Sequence, residues 1–260
     1  MIKRRPQRYP SDMKDKEWEI IQPLLPPAAA NQQNKLRKIL DAIFYIDKTG
    51  CQWRALPHEY PPWSSVYYHF AKWSKDGTLE RMNTILCKMD RLKRGRKETP
   101  TGALIDSQSV KTAKEASEVG FDGGKKVNGH KRHILTDTVG NMLNVVVSAA
   151  NMYDGKGGEL VIRKILDTFP TIEKIWADNT YRGGLIDWVR DTLDATLQIV
   201  SREEGQIGFK VQPKRWVVER TFAWLGNYRR LSKDYERLIH NSEGMIYLAS
   251  IKTMLSRIAL

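Results

Sequence analysis

The sequence is poor in the features that define several protein classes. Only two of its 260 residues are cysteines, Cys51 and Cys87, which excludes a disulfide framework and a cysteine-rich zinc finger. A reduced, cytoplasmic setting is the simplest interpretation. No apolar run approaches the roughly 18 residues that span a membrane, so we expect no membrane partner. The basic start, MIKRRPQRYP, is followed by no apolar segment, so we expect no signal peptide.

Acidic residues are scarce relative to basic ones. The chain has 30 acidic against 43 basic residues, a net charge of +13, and its pI is near 9.7. Such a balance favours a polyanionic partner, most often nucleic acid, although a basic surface without a function gives the same numbers. Residues 1–100 carry a net charge of +9 and residues 101–260 a net charge of +4. The first region therefore resembles a DNA-binding module, and the second is closer to the balance of a catalytic domain.

The first 90 residues predict a small helical domain. Apolar residues at helical spacing indicate helices over 15–25, 35–49 and 63–75, with a turn at 58–62 before the third helix. Short helices, a tight turn and a third helix with polar and aromatic residues are typical of a helix-turn-helix module. The third helix would then contact DNA, while its aromatic residues can equally pack a helical core. The candidate DNA-facing residues here are Arg54, Ser64, Ser65, Tyr68, Lys72 and Lys75.

A basic linker and a second domain are expected to follow. Residues 91–100, RLKRGRKETP, are charged, lack apolar periodicity and end in proline, which is typical of a linker that can lie along DNA phosphates. From residue 101 the patterns predict strands at 103–107, 172–177 and 196–200, a hairpin at 133–150, and helices at 159–169, 185–193, 214–231 and 242–258. This order predicts a mixed α/β sheet flanked by helices over 101–260, with the strand order of ribonuclease-H-like domains.

Three acidic residues stand out by their position in these elements. Asp106 lies within the first strand, Asp178 ends a later strand, and Glu219 lies in the long helix. An acidic residue inside an apolar strand is costly unless it is paired or binds a metal. Two strand aspartates and one helix glutamate can converge on hard cations such as Mg²⁺ or Mn²⁺, and two such ions would serve phosphodiester chemistry. Among 30 acidic residues any one of them could be an ordinary salt-bridged carboxylate; the triple in this order is the stronger signal.

Long segments around these residues resemble a known family. The segments LIDSQS, WADNTYRG and RWVVERTFAWLGNYRRLSKDYE are similar to bacterial insertion-sequence transposases of the DDE class, close to the insertion sequence five family. GFDGGKKVNGHKRHILTDTVGN resembles the region that follows the first strand in that family, and EWEIIQPLLPP and GCQWRALP resemble its N-terminal domain. The resemblance covers about residues 12–256. It implies a ribonuclease-H-like catalytic core, dependence on Mg²⁺ and binding to terminal inverted repeats.

The resemblance also implies roles for individual residues. The catalytic, metal-binding triad of the family falls on Asp106, Asp178 and Glu219. Arg215 matches the arginine that the family has four positions before the glutamate, and on a helix the two side chains share a face, as in an ordinary ion pair. Two positions depart from the family pattern: Gly226 stands where a basic residue is expected, and Gln212 where a tyrosine is expected. The residues that could contact a phosphate instead are Arg220, Arg229 and Arg230.

The segment 120–132 is rich in glycine and lysine and predicts a loop. It is either a solvated loop or a mobile one that orders on DNA phosphates beside the catalytic strands. Asp137 and Asp154 flank the hairpin, and we expect turn or surface roles for them. His130 and His133 lack partners at zinc-ligand spacing. The candidate DNA contacts of this segment are Lys125, Lys126, Lys131 and Arg132.

These features together predict a DNA transposase with three regions: a helical DNA-binding domain at 1–90, a basic linker at 91–100 and a catalytic domain at 101–260. We expect binding to terminal inverted repeats, 3′-end cleavage, strand transfer and a homodimer or larger assembly on nucleoid DNA. Two alternatives remain at this point. One is a non-catalytic DNA-binding relic that acts as a repressor, and the other is a stand-alone nuclease of the same fold.

Overall fold

The N-terminal part of the protein is helical. The computed structural model describes residues 9–27, 29–200 and 214–260. Its first four helices are α1 (Asp15–Ile21), α2 (Ala30–Thr49), α3 (Trp63–Lys75) and α4 (Thr78–Lys93). Helix α2 ends at Gly50, whose φ of +71° is left-handed and therefore suits glycine. A 3₁₀ turn at Trp53–Ala55 and a turn at 58–61 precede α3, so the predicted order of short helices, turn and third helix is confirmed.

A mixed six-stranded sheet forms the second half. Its strands are β1 (Gly102–Lys111), β2 (Gly120–Asp122), β3 (Val127–Asp137), β4 (Met142–Ala149), β5 (Lys174–Ala177) and β6 (Thr196–Ile199). The order across the sheet is β2-β3-β1-β5-β6, and β4 pairs with β3 beside β2. Strands β1, β5 and β6 run parallel, while β3 is antiparallel to β1, β2 and β4. This is the predicted mixed sheet of a ribonuclease-H-like fold.

Four helices complete this half and cover the sheet. They are α5 (Asp154–Arg163), α6 (Gly184–Leu193), α7 (Trp216–Leu225) and α8 (Ile239–Ile258). Helix α7 packs on β1 and β5 through Val217 and Val218, which meet Leu104 and Trp176 in a small apolar cluster. Because side chains alternate along a strand, Leu104 and Asp106 share the face of β1 that α7 covers.

Helix α8 connects the two halves. It packs against α3, α4 and β4, and residues of the N-terminal helices and of the sheet belong to one hydrophobic cluster. The approach of α8 to α3 is close at Gly244, where an added Cβ would lie 2.2 Å from Ser74 Oγ. No helix within 9–27, 29–200 and 214–260 is long and apolar enough to cross a membrane. The division of the chain into domains at 90 and 100 stays a prediction.

Two segments differ from their sequence patterns, although the linker role of residues 91–100 stays a prediction. Residues 91–93 belong to α4, a helix that the sequence patterns did not indicate. Arg91 is directed inward, where its guanidinium donates to Asp137 Oδ2 at 2.8 Å and to the carbonyl of Lys97 at 2.9 Å. Most of 120–132 is not a loop but β2, a turn and the first half of β3. Charged side chains that pair inside the protein concealed both elements.

Candidate active site

Asp106 and Asp178 lie near the carboxyl ends of two neighbouring parallel strands, β1 and β5. Strand β5 pairs with β1 only through Gly102–Leu104, so β1 continues past the end of its neighbour. Asp106 lies two residues beyond that last pair, and Asp178 follows the last residue of β5. Carboxyl ends of parallel strands are where functional residues gather in open α/β sheets. The parallel pairing of β1 and β5 therefore places both carboxylates at one edge.

Local hydrogen bonds orient each aspartate. The backbone N–H of Ser107 donates to Asp106 Oδ1 at 2.7 Å. The backbone N–H of Thr180 donates to Asp178 Oδ1 at 2.9 Å, and the Thr180 hydroxyl donates to the same oxygen. Asp178 thereby caps the 3₁₀ turn Asn179–Tyr181. Among the described residues, all of these bonds reach one oxygen of each carboxylate, which leaves the other oxygen for a further ligand.

The electrostatics of this edge favour a cation. Burial, helped by the nearby negative charge of Asp178, raises the pKa of Asp106 to about 6, although the Ser107 N–H, Arg215 and Lys125 each act to lower it. Two carboxylates that repel each other in this way are stabilised by a bound positive ion. Their oxygen donors match the preference of Mg²⁺ and Mn²⁺.

Glu219 lies on α7 and is half-exposed. Its Oε1 accepts from Arg215 Nη2 at 3.1 Å, the i,i+4 pairing that the spacing predicts. Arg215 also lies close enough to Asp106 to lower its pKa, so one guanidinium is near both the helix glutamate and the strand aspartate. Within the described ranges, no three His, Cys, Asp or Glu side chains form a group that could hold a metal. The aspartates fit a metal ion, and Glu219 faces Arg215 instead.

A polar network lies on the opposite face of β1 from Asp106. Ser107 Oγ donates to Asp154 Oδ1 at 2.8 Å, and Lys131 Nζ pairs with the same oxygen at 3.2 Å. Lys125 Nζ donates to the Ser107 carbonyl at 3.0 Å, which ties the β2–β3 turn to the strand residue beside Asp106. Tyr181 is fully buried below this edge, and burial raises its pKa well above the usual value.

Sequence reasoning missed most of this network. Asp154 was expected in a turn or surface role, yet it is the shared acceptor of two neighbours. The alternation of Ser107 with Asp106 on an otherwise apolar strand was the available signal, because it places polar groups on both faces. The buried His133 ring is in the same layer, and burial lowers its pKa to about 4.

Eight of the fourteen predicted DNA contacts are accessible. On α3, Val66, Phe70 and Trp73 are buried and the opposite side is open. Residues 120–132 contribute two exposed lysines in the turn between β2 and β3. The accessible candidates are Arg54, Ser64, Tyr68, Lys72, Lys75, Lys125, Lys126 and Arg229, and Ser65 is half-buried.

Other predicted contacts are turned into the protein. Lys131 pairs with Asp122 and Asp154, and Arg132 donates to the carbonyl of Leu231 at 2.8 Å. Arg230 forms a buried ion pair with Glu236 at 2.6 Å. These three cations are 3–7% exposed, so they stabilise the interior rather than face a ligand.

Two residues remain: Arg220, a candidate phosphate contact, and Gln212, a departure from the family pattern. Arg220 donates to the carbonyl of Val139 at 3.0 Å and lies over the rings of Trp216 and Trp224. It is therefore held by internal contacts. Gln212, where the family pattern has tyrosine, lies outside the described residues.

Family comparisons agree with this architecture. Residues 97–252 match the family described as "Transposase DDE domain", and residues 13–83 match the family described as "Putative transposase of IS4/5 family". The first match alone covers more than half of the chain. This chain belongs to the DDE transposase family. Proteins of this family generally use divalent metal ions, in keeping with the carboxylate edge that Asp106 and Asp178 form at the ends of β1 and β5.

Two individual proteins resemble part of the chain at low sequence identity. The chain is 29% identical over 121 residues to the "Putative transposase for insertion sequence element IS402" of Burkholderia cepacia, across 42% of this chain and 54% of that protein. It is 27% identical over 115 residues to the "Insertion element IS402 uncharacterized 16.2 kDa protein" of the same organism, across 41% and 77%. The match thus spans about half the length of the first relative. No solved structure matches the chain.

Proposed function

We propose that this DDE transposase binds the ends of its insertion sequence, cleaves the 3′ end and transfers the strand to target DNA. The observation that carries the proposal is the proximity of Asp106 and Asp178 at the carboxyl ends of β1 and β5, with Arg215, which precedes α7, near Asp106 and bonded to Glu219. A divalent ion held by the two aspartates would supply Lewis-acid catalysis for hydrolysis and transesterification of a phosphodiester.

The residues of the chain itself have separable roles in this proposal. The Ser107 and Thr180 bonds fix the aspartate carboxylates before substrate arrives. Arg215 is accessible enough to contact a phosphate of the DNA strand, and when it does so it releases Glu219. Glu219 could then complete the carboxylate set as the third ligand. No serine or tyrosine nucleophile is needed, and we expect no covalent protein–DNA intermediate.

End recognition is proposed for α3. Its exposed side carries Ser64, Tyr68, Lys72 and Lys75, a polar and cationic surface that fits the phosphates and base edges of duplex DNA. The net charge of +13 supports the same partner on nucleoid DNA. Two DNA ends must be held together for transposition, so we further propose a homodimer or larger assembly on DNA.

One observation favours a second candidate. Glu219 is paired with Arg215 and, among the described residues, does not lie in a three-carboxylate group. A DNA-binding relic that represses transcription would tolerate that arrangement, whereas a nuclease or transposase requires Glu219 to turn toward the aspartates.

The deciding experiment uses purified protein and duplexes that carry the DNA flanking the gene. We expect strand cleavage at the ends with Mg²⁺ or Mn²⁺ and none with Asp178→Asn, while both proteins bind the ends equally. Specific binding without cleavage in either metal would favour the relic. Cleavage that ignores the end sequence would favour a stand-alone nuclease.

A further inference from the structure

An open cavity of about 530 Å³ lies between the N-terminal helices and residues 230–237, a segment that begins in the 3₁₀ turn Arg229–Leu231. Four aromatic side chains line it: Trp53, Trp63, Tyr67 and Tyr235. Two of the rings remain accessible, because Trp63 is 38% and Tyr235 is 43% exposed. The volume lies within the range of small-ligand sites in proteins. Exposed aromatic rings in a concave site indicate that a flat, weakly polar group binds there.

Arginines surround these rings. The Arg54 guanidinium lies 5.4 Å from the ring centre of Trp63. Arg230 lies 5.2 Å from the Tyr235 ring and is neutralised by Glu236. Arg54 and Arg237 then outnumber the remaining acidic residue in the lining, Glu115. A site with aromatic walls and a surplus of guanidinium groups at its rim suits a planar base attached to a phosphate.

The cavity adjoins the surface that we propose for duplex DNA. Trp63 and Tyr67 are one helical turn apart on α3, and Ser64 and Tyr68 follow them by one residue each. At about 100° per residue, the cavity and the exposed cationic side are neighbouring sides of one helix. DNA that lies along the cationic side therefore passes the mouth of the cavity.

We propose that this cavity binds one unstacked nucleobase of the DNA lying on α3, between Trp63 and Tyr235, with Arg54 on its phosphate. Stacking on aromatic side chains accepts any base because every base has a π face. The inference rests on the proposed DNA binding. It adds a second DNA contact, away from Asp106 and Asp178, that forms only with an unpaired base. It would make distorted or partly melted ends better ligands than intact duplex.

The test measures binding in EDTA, so that cleavage does not interfere. One probe is a duplex that carries the DNA flanking the gene, and the others are the same duplex with a single unpaired thymine at successive positions. We expect wild-type protein to bind the unpaired probe about tenfold more tightly at one or a few positions. Trp63→Ala and Tyr235→Ala should each reduce that preference to less than about twofold.

Tyr68→Ala is the matched control, because Tyr68 is an exposed aromatic residue of the same helix outside the cavity. It should weaken binding to paired and unpaired probes equally and keep their ratio. The inference is overturned by a wild-type protein without preference at any position, or by a preference that survives both cavity variants. A change in oligomeric mass in those variants would also overturn it, since the occupant would then be a second copy. Failure to bind any flanking duplex more tightly than random DNA would overturn the proposed end binding as well.

Discussion

The central strands β1 and β3 carry two aspartates with opposite surroundings. Asp137, at the end of β3, is fully buried and receives Arg91 at 2.8 Å and the backbone N–H groups of Val139 and Asn141 at 2.9 Å. Asp106 receives one backbone N–H and lies near the second negative charge of Asp178. The charge of Asp137, which stabilises the fold, is neutralised by the protein itself. In our proposal the charge of Asp106 is neutralised by a bound cation.

The same substitution at both positions gives the largest expected contrast. Asp106→Asn should lower the cleavage rate on the order of a thousandfold or more, about 4 kcal/mol, because a carboxylate that we propose to bind the metal is lost. Asp137→Asn should leave the rate per folded molecule unchanged and lower the unfolding temperature instead. Cleavage kinetics and thermal melts on both variants measure this, with DNA affinity as the control for Asp106→Asn. Normal cleavage by Asp106→Asn would remove Asp106 from the proposed site.

Breaking the buried ion pair between Arg91 and Asp137 at the end of β3 should lower the stability of the fold. Arg91→Ala leaves the carboxylate of Asp137 buried without its ion pair, which should cost about 3–5 kcal/mol of unfolding free energy. Urea denaturation measures this. Arg190→Ala is the control: its partners Asp187 and Asp191 are both exposed, so we expect no measurable change there. A loss for Arg91→Ala as small as that of the control would show that the buried pair does not stabilise the fold.

The stability of the fold should depend on pH through Asp106. The pKa of Asp106 is about 6 in the folded protein against 3.8 for an ordinary Asp, so its ionisation opposes folding. The penalty is absent below pH 3.8, grows as the pH rises to 6 and is complete above that. Relative to wild type, Asp106→Asn should therefore gain about 1–2 kcal/mol between pH 4 and pH 7, after allowance for solvent screening. Urea melts in EDTA measure it; a pH-independent difference would contradict the raised pKa.

Much of the fold could be predicted from apolar periodicity. Helix α3 has the predicted bounds, and β5 ends at the residue before Asp178 as predicted. The pattern fails where buried positions are polar. Lys131 and Arg132 lie in a buried stretch of β3, where Lys131 is ion-paired and Arg132 donates to a backbone carbonyl, and in sequence such a stretch looks like a solvated loop.

The candidate site was predictable in part for a similar reason. The position of Asp178 follows from a strand end, and the Arg215–Glu219 bond follows from helical spacing. The contacts of Ser107 with Asp154 and Lys125 join residues 47 and 18 positions apart, so no local pattern reveals them. The cavity at Trp63 and Tyr235 likewise forms only when distant segments pack together.

The smallest expected effect is on the salt dependence of DNA binding, for which exposed lysines of α3 are compared with a buried lysine of β3. Lys72→Ala and Lys75→Ala should each reduce the slope of log affinity against log salt by about 1 and weaken DNA binding several-fold, because each exposed lysine is proposed to displace one counterion. Lys131→Met should leave the slope unchanged although the residue has the same charge, since its ammonium is bound by Asp122 and Asp154. Titrations at several salt concentrations measure the slopes. Equal slopes for all three variants would mean that α3 does not lie on DNA, and the end-recognition surface would then have to be sought on another face.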